Sequence, residues 1–262
     1  MNHHPLRAAL GNAVAFTLVI VMNALANALP LNGQTTGQVS ASYRSLFTPA
    51  GFTFGIWGII YLALLAFIVY QFLPRQRTSG LLRRITPWFL LSCVANALWI
   101  VAWHWEQIAL SLALMLVLLF ALLAILRQFE APDAKTPGAR VFVVLPFSIY
   151  GGWITLATIA NFSALQTAWG WNDLGMTAVT WTQLKLAAAA LVAAWVALGV
   201  RNVPFVLVVA WAAHGIASGQ AATPEVAGAA RMLMFFAIAL CALSVGQSGY
   251  RLIAGRRHAA AP

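Results

Sequence analysis

Three stretches of the sequence carry aromatic rings and side-chain amides at intervals of three or four residues. They are Trp57 and Tyr61; Asn96, Trp99 and Trp103; and Tyr150, Trp153, Ala157 and Asn161. Such intervals place each set on one face of a helix. Indole and phenol rings stack on flat apolar molecules, and carboxamides hydrogen-bond to polar substituents. The stripes therefore predict a site for a flat hydrophobic ligand, although packing between helices alone would produce the same pattern.

Two ionisable residues, Lys185 and His214, lie inside apolar runs and are further candidates for this site. An ionisable side chain within a membrane span is a functional candidate by default. Lys185 would otherwise extend its ammonium group to the membrane surface, and His214 would otherwise donate a hydrogen bond between helices. His214 could also ligate a haem iron, but the sequence offers no second axial ligand.

The sequence predicts no catalytic residue and no metal site. Its only acids are Glu106, Glu130, Asp133, Asp173 and Glu225, and all of them fall in predicted loops or at the ends of apolar runs. No carboxylate pair, histidine-rich set, nucleophile motif or phosphate-binding glycine loop is found. The protein is therefore not predicted to be an enzyme.

The elements that must position these residues are membrane helices. Hydrophobic residues make up 62% of the 262 residues and charged residues only 8%, so the bilayer must solvate most of the chain. Runs of about 20 apolar residues span a membrane. The predicted spans are 7–29, 49–73, 87–105, 108–127, 141–162, 178–199, 203–219 and 228–250. We expect an all-α, polytopic bundle of about eight spans.

The distribution of cations predicts the orientation of the spans. Arg and Lys concentrate before span one, in the second, fourth and sixth loops, and after span eight. The positive-inside rule then places both termini in the cytoplasm, and we predict a multi-pass protein of the bacterial inner membrane. The net charge of +10 is interpreted as favouring contact with anionic lipid headgroups rather than nucleic-acid binding. Nearly every Trp, Asn and charged residue inside a span then falls in the outer half, which predicts a cavity open to the outer side.

The motifs resemble those of the TspO family of tryptophan-rich sensory proteins, which includes the mitochondrial translocator protein, also called the peripheral benzodiazepine receptor. The family's second helix has a Pro-x-Gly start followed by Trp-x-x-x-Tyr, seen here at residues 49–51 and 57–61. Its third helix has Asn-x-x-Trp, here at residues 96–99. Its fifth has Tyr-x-x-Trp-x-x-x-Ala-x-x-x-Asn, here at residues 150–161.

The resemblance implies a five-helix bundle that binds tetrapyrroles, sterols or drug-like aromatics between its helices. It covers residues 1–162, and residues 163–262 would add three helices packed as one membrane unit, as in a longer, eight-span branch. It implies that Trp57, Asn96, Trp153, Ala157 and Asn161 line the pocket. The double proline that precedes the family's Trp is absent here, which leaves the identity of the ligand open.

The leading functional hypothesis is a receptor or transporter of a small flat hydrophobic molecule. No resident cofactor is predicted, and haem or protoporphyrin would enter as the ligand. The alternatives are a proton-coupled or facilitative carrier, for which no internal repeat is found, and a membrane subunit of a larger complex. The lipid bilayer is the other expected partner, and small residues such as Gly151-Gly152 would allow a homodimer.

Overall fold

The computed structural model describes residues 6–171 and 173–259, with only the backbone of residues 173 and 248–259. All regular secondary structure in these ranges is helical. The helices are α1 (Leu6–Ala28), α2 (Thr36–Ser42), α3 (Ile56–Gln71), α4 (Gly80–His104), α5 (Ile108–Leu126), α6 (Pro137–Ala168), α7 (Ala178–Val200), α8 (Val203–Gly219) and α9 (Pro224–Ala259).

Every helix except α2 contains a long apolar segment. Within the described residues, seven helical segments are at least 18 residues long and apolar enough to cross a membrane. The remaining apolar helix, α8, has 17 residues, slightly fewer than the roughly 20 that match the hydrocarbon core. The prediction of an all-α polytopic bundle is confirmed. The division of the chain at residue 162 stays a prediction, and α6 runs past it to Ala168.

Local sequence explains where several helices begin. The side chains of Ser79, Thr177 and Asn202 accept hydrogen bonds from backbone N–H groups three residues later. These bonds satisfy donors that have no partner inside the helix. The cap at Ser79 starts α4 seven residues before the predicted boundary, so the placement of Pro87 at the start of a span is wrong. Pro87 lies inside α4.

Proline has a visible effect in α6. The segment Arg140–Val144 forms a π-helical turn directly before Pro146. Proline lacks an N–H and its ring collides with the carbonyl group four residues earlier. A wider turn at this point accommodates both effects, and the helix continues to Ala168 without a break.

The two ends of the bundle differ in their loops. We call one end the basic end, because its loops at residues 72–79, 127–136 and 201–202 carry most of the loop cations. We call the other the lid end, after residues 31–48, which fold over it; it carries residues 29–55, the turn at 105–107, and residues 169–171 and 173–177. Helix α4 lies between α1 and α5, α5 packs on α6, α6 on α3 and α8, and α9 on α7 and α8.

The half of the bundle nearest the basic end has a core of buried apolar side chains and also contains a cluster of buried amides. Asn12 Nδ2 donates to Gln71 Oε1 (2.6 Å) and to Thr86 Oγ1 (3.2 Å) in the interior. Asn12 Oδ1 and Gln71 Nε2 are buried without a hydrogen-bond partner. The sequence predicts that polar side chains within the spans lie mostly in the half nearest the lid end, and this cluster is an exception to that prediction. Interhelical amide bonds of this kind fasten helices together within lipid.

Candidate ligand cavity

The half of the bundle nearest the lid end encloses a cavity of about 670 Å³. Helices α1, α3, α4, α5, α6 and α8 contribute to its wall, and residues 36–51 cover it. Ligand cavities in proteins span about 300–1,000 Å³ and are mostly apolar with a few polar groups. The volume and the lining are therefore those of a site for a small organic molecule.

Aromatic rings form most of one side of the cavity. The Trp57 ring stacks on Tyr61, with centroids 5.3 Å apart, and meets Trp153 edge-on at 6.2 Å. Phe54 also meets Trp153 edge-on, with centroids 5.9 Å apart. Such offset and edge-to-face contacts fix each ring against its neighbours. The rings therefore present a preformed apolar surface to the cavity.

A second pair of rings, on α4, is held by hydrogen bonds. Trp99 and Trp103 stack at 5.7 Å. Trp99 Nε1 donates to Asn161 Oδ1 at 2.9 Å, and Trp103 Nε1 donates to the Thr36 carbonyl oxygen at 3.3 Å. Asn161 Nδ2 in turn donates to Ser111 Oγ at 2.9 Å. Since both indole N–H groups are occupied by the protein, these residues offer the ligand ring surface rather than hydrogen bonds.

Two of the predicted binding residues stand behind the wall rather than in it. Asn96 accepts a hydrogen bond from Asn23 Nδ2 at 2.9 Å and donates to the Tyr150 hydroxyl at 3.1 Å. Asn96 and Tyr150 are both almost completely buried. This chain of bonds joins α1, α4 and α6 next to the cavity. It positions Asn23 and Trp57, which do line the cavity.

The structure brings together six of the ten predicted site residues in one wall: Trp57, Tyr61, Trp99, Trp153, Ala157 and Asn161. The remaining four, Asn96, Tyr150, Lys185 and His214, do not line this cavity. Lys185 lies in the wall of a second cavity. His214 is exposed on α8, with its ring 5.6 Å from that of Phe52. The two ionisable residues therefore belong to separate environments.

Residues 31–48, which we call the lid, cover the cavity at the lid end of the bundle. The lid contains α2, which begins with a capping box at Thr35 and Gln38. Asn32 Nδ2 donates to the His104 carbonyl oxygen at 2.9 Å. Gln34 Nε2 and the Tyr43 hydroxyl donate to the Glu106 carboxylate at 3.0 and 2.7 Å. Hydrogen bonds therefore fasten the start and the middle of the lid to the end of α4 and to the turn after it, and Gln220 Nε2 donates to the Thr48 carbonyl oxygen at the end of the lid (2.8 Å).

The carboxylate of Glu106 is the centre of this attachment. The hydrogen bonds from Tyr43 and then from Gln34 hold the pKa of Glu106 below its ordinary value. The same bond to Glu106, with some burial, raises the pKa of Tyr43. Glu106 also has a left-handed backbone conformation, with φ of +54°, which is uncommon for a residue other than glycine. The turn thus aims the carboxylate at the lid.

Helix α8 holds the segment that follows the lid. Ala50 N donates to the Gly215 carbonyl oxygen at 2.9 Å, and Trp211 Nε1 donates to the Thr53 carbonyl oxygen at 3.0 Å. A Cβ atom at Gly215 would overlap Thr53 Oγ1, so glycine permits this close approach. Helix α8 therefore fixes the start of α3 and, with it, the position of Trp57.

Sequence reasoning missed the lid residues of the cavity wall, such as Thr36, Tyr43 and Phe47. They lie in a loop with no long apolar period, and the sequence gives no direct sign that the loop folds back. The only available signal is the polar turn at His104 to Gln107, where an acidic residue stands between two spans. The role of this acidic residue, Glu106, becomes clear only from its hydrogen-bond partners Gln34 and Tyr43, which are distant in sequence.

Histidine, cysteine and acidic side chains are sparse in the described part of the molecule. Among the residues that the structure describes, no three His, Cys, Asp or Glu side chains come close enough together to hold a metal ion. His104, which is buried at the end of α4, places Nδ1 2.8 Å from the Ile100 carbonyl oxygen and Nε2 3.4 Å from Thr36 Oγ1. Its ring is thus engaged in attaching the lid.

Comparison with known proteins agrees with this architecture. The family model described as TSPO-like protein matches residues 9–244, which extends from α1 into α9. No curated protein and no solved structure matches the chain. The family match includes all the helices that build the cavity and also α7 and most of α9. This integral, multi-pass membrane protein therefore belongs to the TSPO-like protein family.

Proposed function

We propose that this protein binds a small, flat, hydrophobic molecule, such as a tetrapyrrole, in the cavity beneath the lid. The observation that carries the proposal is the cavity of about 670 Å³ whose wall contains Trp57, Trp99, Trp103 and Trp153. Binding, rather than catalysis, is the activity that this wall supports. A receptor and a transporter would both use it.

The state of the polar groups favours an aromatic ligand over a polar one. The Trp99 and Trp103 N–H groups and the Asn161 amide already bond within the protein. Trp153 Nε1 is buried in the same wall without a hydrogen-bond partner, so the wall offers the ligand one indole donor beside its ring surfaces. A polar ligand would lose its hydrogen bonds to water on entering the cavity and would form few new ones there, which is unfavourable in a low-dielectric interior. A flat apolar ligand would instead gain from burial and from stacking on the rings, each aromatic pair adding about 0.5–1.5 kcal/mol.

Titration of protoporphyrin IX into the purified protein in neutral nanodiscs tests the proposal. We expect saturable binding that Trp153→Ala weakens by about tenfold, since about 1.4 kcal/mol corresponds to a factor of ten. Trp153→Phe should retain most of the affinity because it keeps a ring. Trp195→Ala is the matched control, because Trp195 is 65% exposed and lies outside the cavity. Absence of saturable binding, or an equal loss in the control, would refute the proposal.

We also infer that the basic end faces the cytoplasm of a bacterial cell and that the lid faces the outside. The support is the cation content of the two sets of loops, as the positive-inside rule describes. Ser42 on the lid and Thr78 at the basic end are exposed, whereas both native cysteines are buried. In intact cells, a membrane-impermeant maleimide should label Ser42→Cys and leave Thr78→Cys unlabelled. The reverse result would invert the topology.

A further inference from the structure

A second cavity, of about 460 Å³, lies at the lid end beside the first. It is bounded by the end of α6, the start of α7, the end of the lid and Gln220 after α8. The lining residues with chemically active side chains include Arg44, Ser163, Gln166, Thr182 and Lys185. This lining is rich in hydrogen-bonding groups, unlike that of the first cavity.

The end of the lid separates the two cavities. Tyr43, Phe47 and Thr48 line the first cavity, whereas Arg44 and Leu46 line the second. Helix α6 is divided in the same way. Its residues Asn161 and Ala164 face the first cavity, and Ser163 and Gln166 face the second. The two spaces are thus neighbours with a thin common wall and opposite chemical character.

Both charged side chains among the described lining residues are cationic. Arg44 is exposed on the lid, and Lys185 is buried on α7 with 9% of its surface accessible. Lys185 Nζ lies 5.7 Å from the centroid of the Phe162 ring. The wall of the second cavity therefore contains a guanidinium group and an ammonium group, and both kinds of group form charge-assisted hydrogen bonds with anions.

Gln166 gives independent support for a ligand at this place. It lies in the wall of the second cavity and is 7% exposed, yet neither Nε2 nor Oε1 has a hydrogen-bond partner. A buried polar group without a partner is unfavourable by about 1–3 kcal/mol. An amide with two such atoms therefore indicates a partner that enters from the cavity, and Nε2 is a donor suited to an anionic oxygen.

We propose that the second cavity binds an anionic group, a carboxylate or a phosphate, carried by a small organic molecule or by a lipid. Arg44 and Lys185 supply the positive charge, and Gln166 and the nearby hydroxyl groups supply hydrogen-bond donors. Trp171 and Trp181, whose rings lie 5.9 Å apart, pack against the apolar body of the molecule. Charge-assisted hydrogen bonds of this kind are about twice as strong as neutral ones.

Isothermal titration of the full-length protein in phosphatidylcholine nanodiscs at low salt tests this site. Three probes of similar size are used: benzoate, phenyl phosphate and neutral benzamide. We expect at least one anion to bind ten or more times more tightly than benzamide. Gln166→Leu and Arg44→Gln should each weaken anion binding at least fivefold, and added salt should weaken it further.

Adding phosphatidylglycerol to the nanodiscs distinguishes the two sources of the anion. If a lipid headgroup is the occupant, benzoate affinity falls through competition. If a free solute is the occupant, the affinity is unchanged. Either result supports the site, provided that the neutral nanodiscs show selective anion binding.

The matched control is Arg231→Gln, which removes one cation at the same end of the bundle, from an exposed residue outside both cavities. Equal binding of benzamide, no effect of either site variant, or an equal effect of Arg231→Gln would overturn the proposal. Should Gln166→Leu unfold, Arg44→Gln still provides the test because Arg44 is exposed. Trp153→Ala should leave benzoate binding unchanged, so this result does not depend on the first cavity.

Discussion

The same three helices build a filled half and a hollow half of the bundle. Towards the basic end, α3, α4 and α6 contribute Phe67, Phe89 and Phe147, which meet edge-to-face at 4.8–5.7 Å and are buried. Towards the lid end they contribute Trp57, Trp99 and Trp153, which surround the cavity. Each Trp lies six to ten residues from its Phe, or roughly 9–15 Å along the helix at 1.5 Å per residue.

The difference shows how a bundle keeps a cavity open. The phenyl rings have no polar atoms and close on one another until the space is filled. The indole rings of Trp99 and Trp103 are instead held by hydrogen bonds to other residues of the cavity wall, Asn161 and the Thr36 carbonyl oxygen. A ring that is fixed by a buried hydrogen bond cannot move into the empty space without leaving a buried amide unpaired, which is unfavourable. The polar network thus prevents collapse.

The largest expected effect is a difference in stability between a substitution in the filled half and one in the hollow half. Phe147→Ala should lower the free energy of unfolding by about 3–5 kcal/mol, because it opens a void among three packed rings. Trp153→Ala should lower it by less, since one side of that ring already borders a cavity. Reversible unfolding in mixed detergent micelles, followed by circular dichroism, measures both. Equal losses would mean that the two halves do not differ in packing.

A pair of glycine substitutions tests how firmly α8 supports the hollow half. Gly215→Ala should destabilise the protein by about 1–3 kcal/mol, the usual range for overpacking, because the new methyl group would collide with Thr53. Gly228→Ala, on α9, meets nothing within 4 Å and should stabilise by about 0.5–1 kcal/mol through helix propensity. Thermal unfolding of the two variants should shift in opposite directions, and a shared direction would argue against the close contact.

A substitution that fills the first cavity should increase stability and abolish ligand binding. Ala157→Leu adds apolar atoms within the first cavity, so we expect a gain of about 1–2 kcal/mol in unfolding free energy and loss of protoporphyrin binding. The control is Ala187→Leu on the exposed face of α7, which should change neither quantity appreciably. Retained binding in Ala157→Leu would show that the ligand does not occupy this space.

The sequence predicts the filled and hollow halves only in part. The spans are predictable because a bilayer imposes length and apolarity on each helix, which local composition reveals. The stripes on α3, α4 and α6 are predictable because helical periodicity is local, and six of the ten proposed residues share one wall. Asn96 has the same periodicity as Trp99, however, and only the packed structure shows that its amide bonds to Asn23 and Tyr150.

What the sequence does not predict depends on contacts between distant residues. Asn12 and Gln71 are 59 positions apart, and neither looks unusual until the two amides are seen to meet. The early start of α4 follows from a single cap at Ser79, which outweighs the proline that suggests a later boundary. Lys185 is predicted to belong to the first cavity only because its predicted depth in the membrane matches that of the other site residues. The sequence of a single helix does not reveal which neighbouring helices Lys185 faces.

The smallest expected effect concerns the attachment of the lid, which holds the hollow half closed. The pKa of Glu106 is lowered by its hydrogen bonds from Tyr43 and Gln34, so the ionised form stabilises the attachment. This stabilisation is complete above the ordinary Glu pKa of about 4.3 and is lost as the pH falls through the lowered value. Amide exchange in residues 34–43, corrected for intrinsic rates, should therefore be constant near neutral pH and should accelerate in acid.

Glu106→Asn provides the sharpest form of this test. Asparagine tolerates the left-handed conformation at this position, so the turn is kept, but its shorter, neutral side chain cannot hold both donors. Exchange of the lid should be faster than in the native protein near neutrality and should no longer depend on pH between about 3 and 7. The matched control is Glu130→Asn, since Glu130 is exposed at the basic end and should not affect the lid. If the lid of Glu106→Asn exchanged as slowly as the native lid, the stacked rings beneath it, and not the carboxylate, would be what keeps the cavity closed.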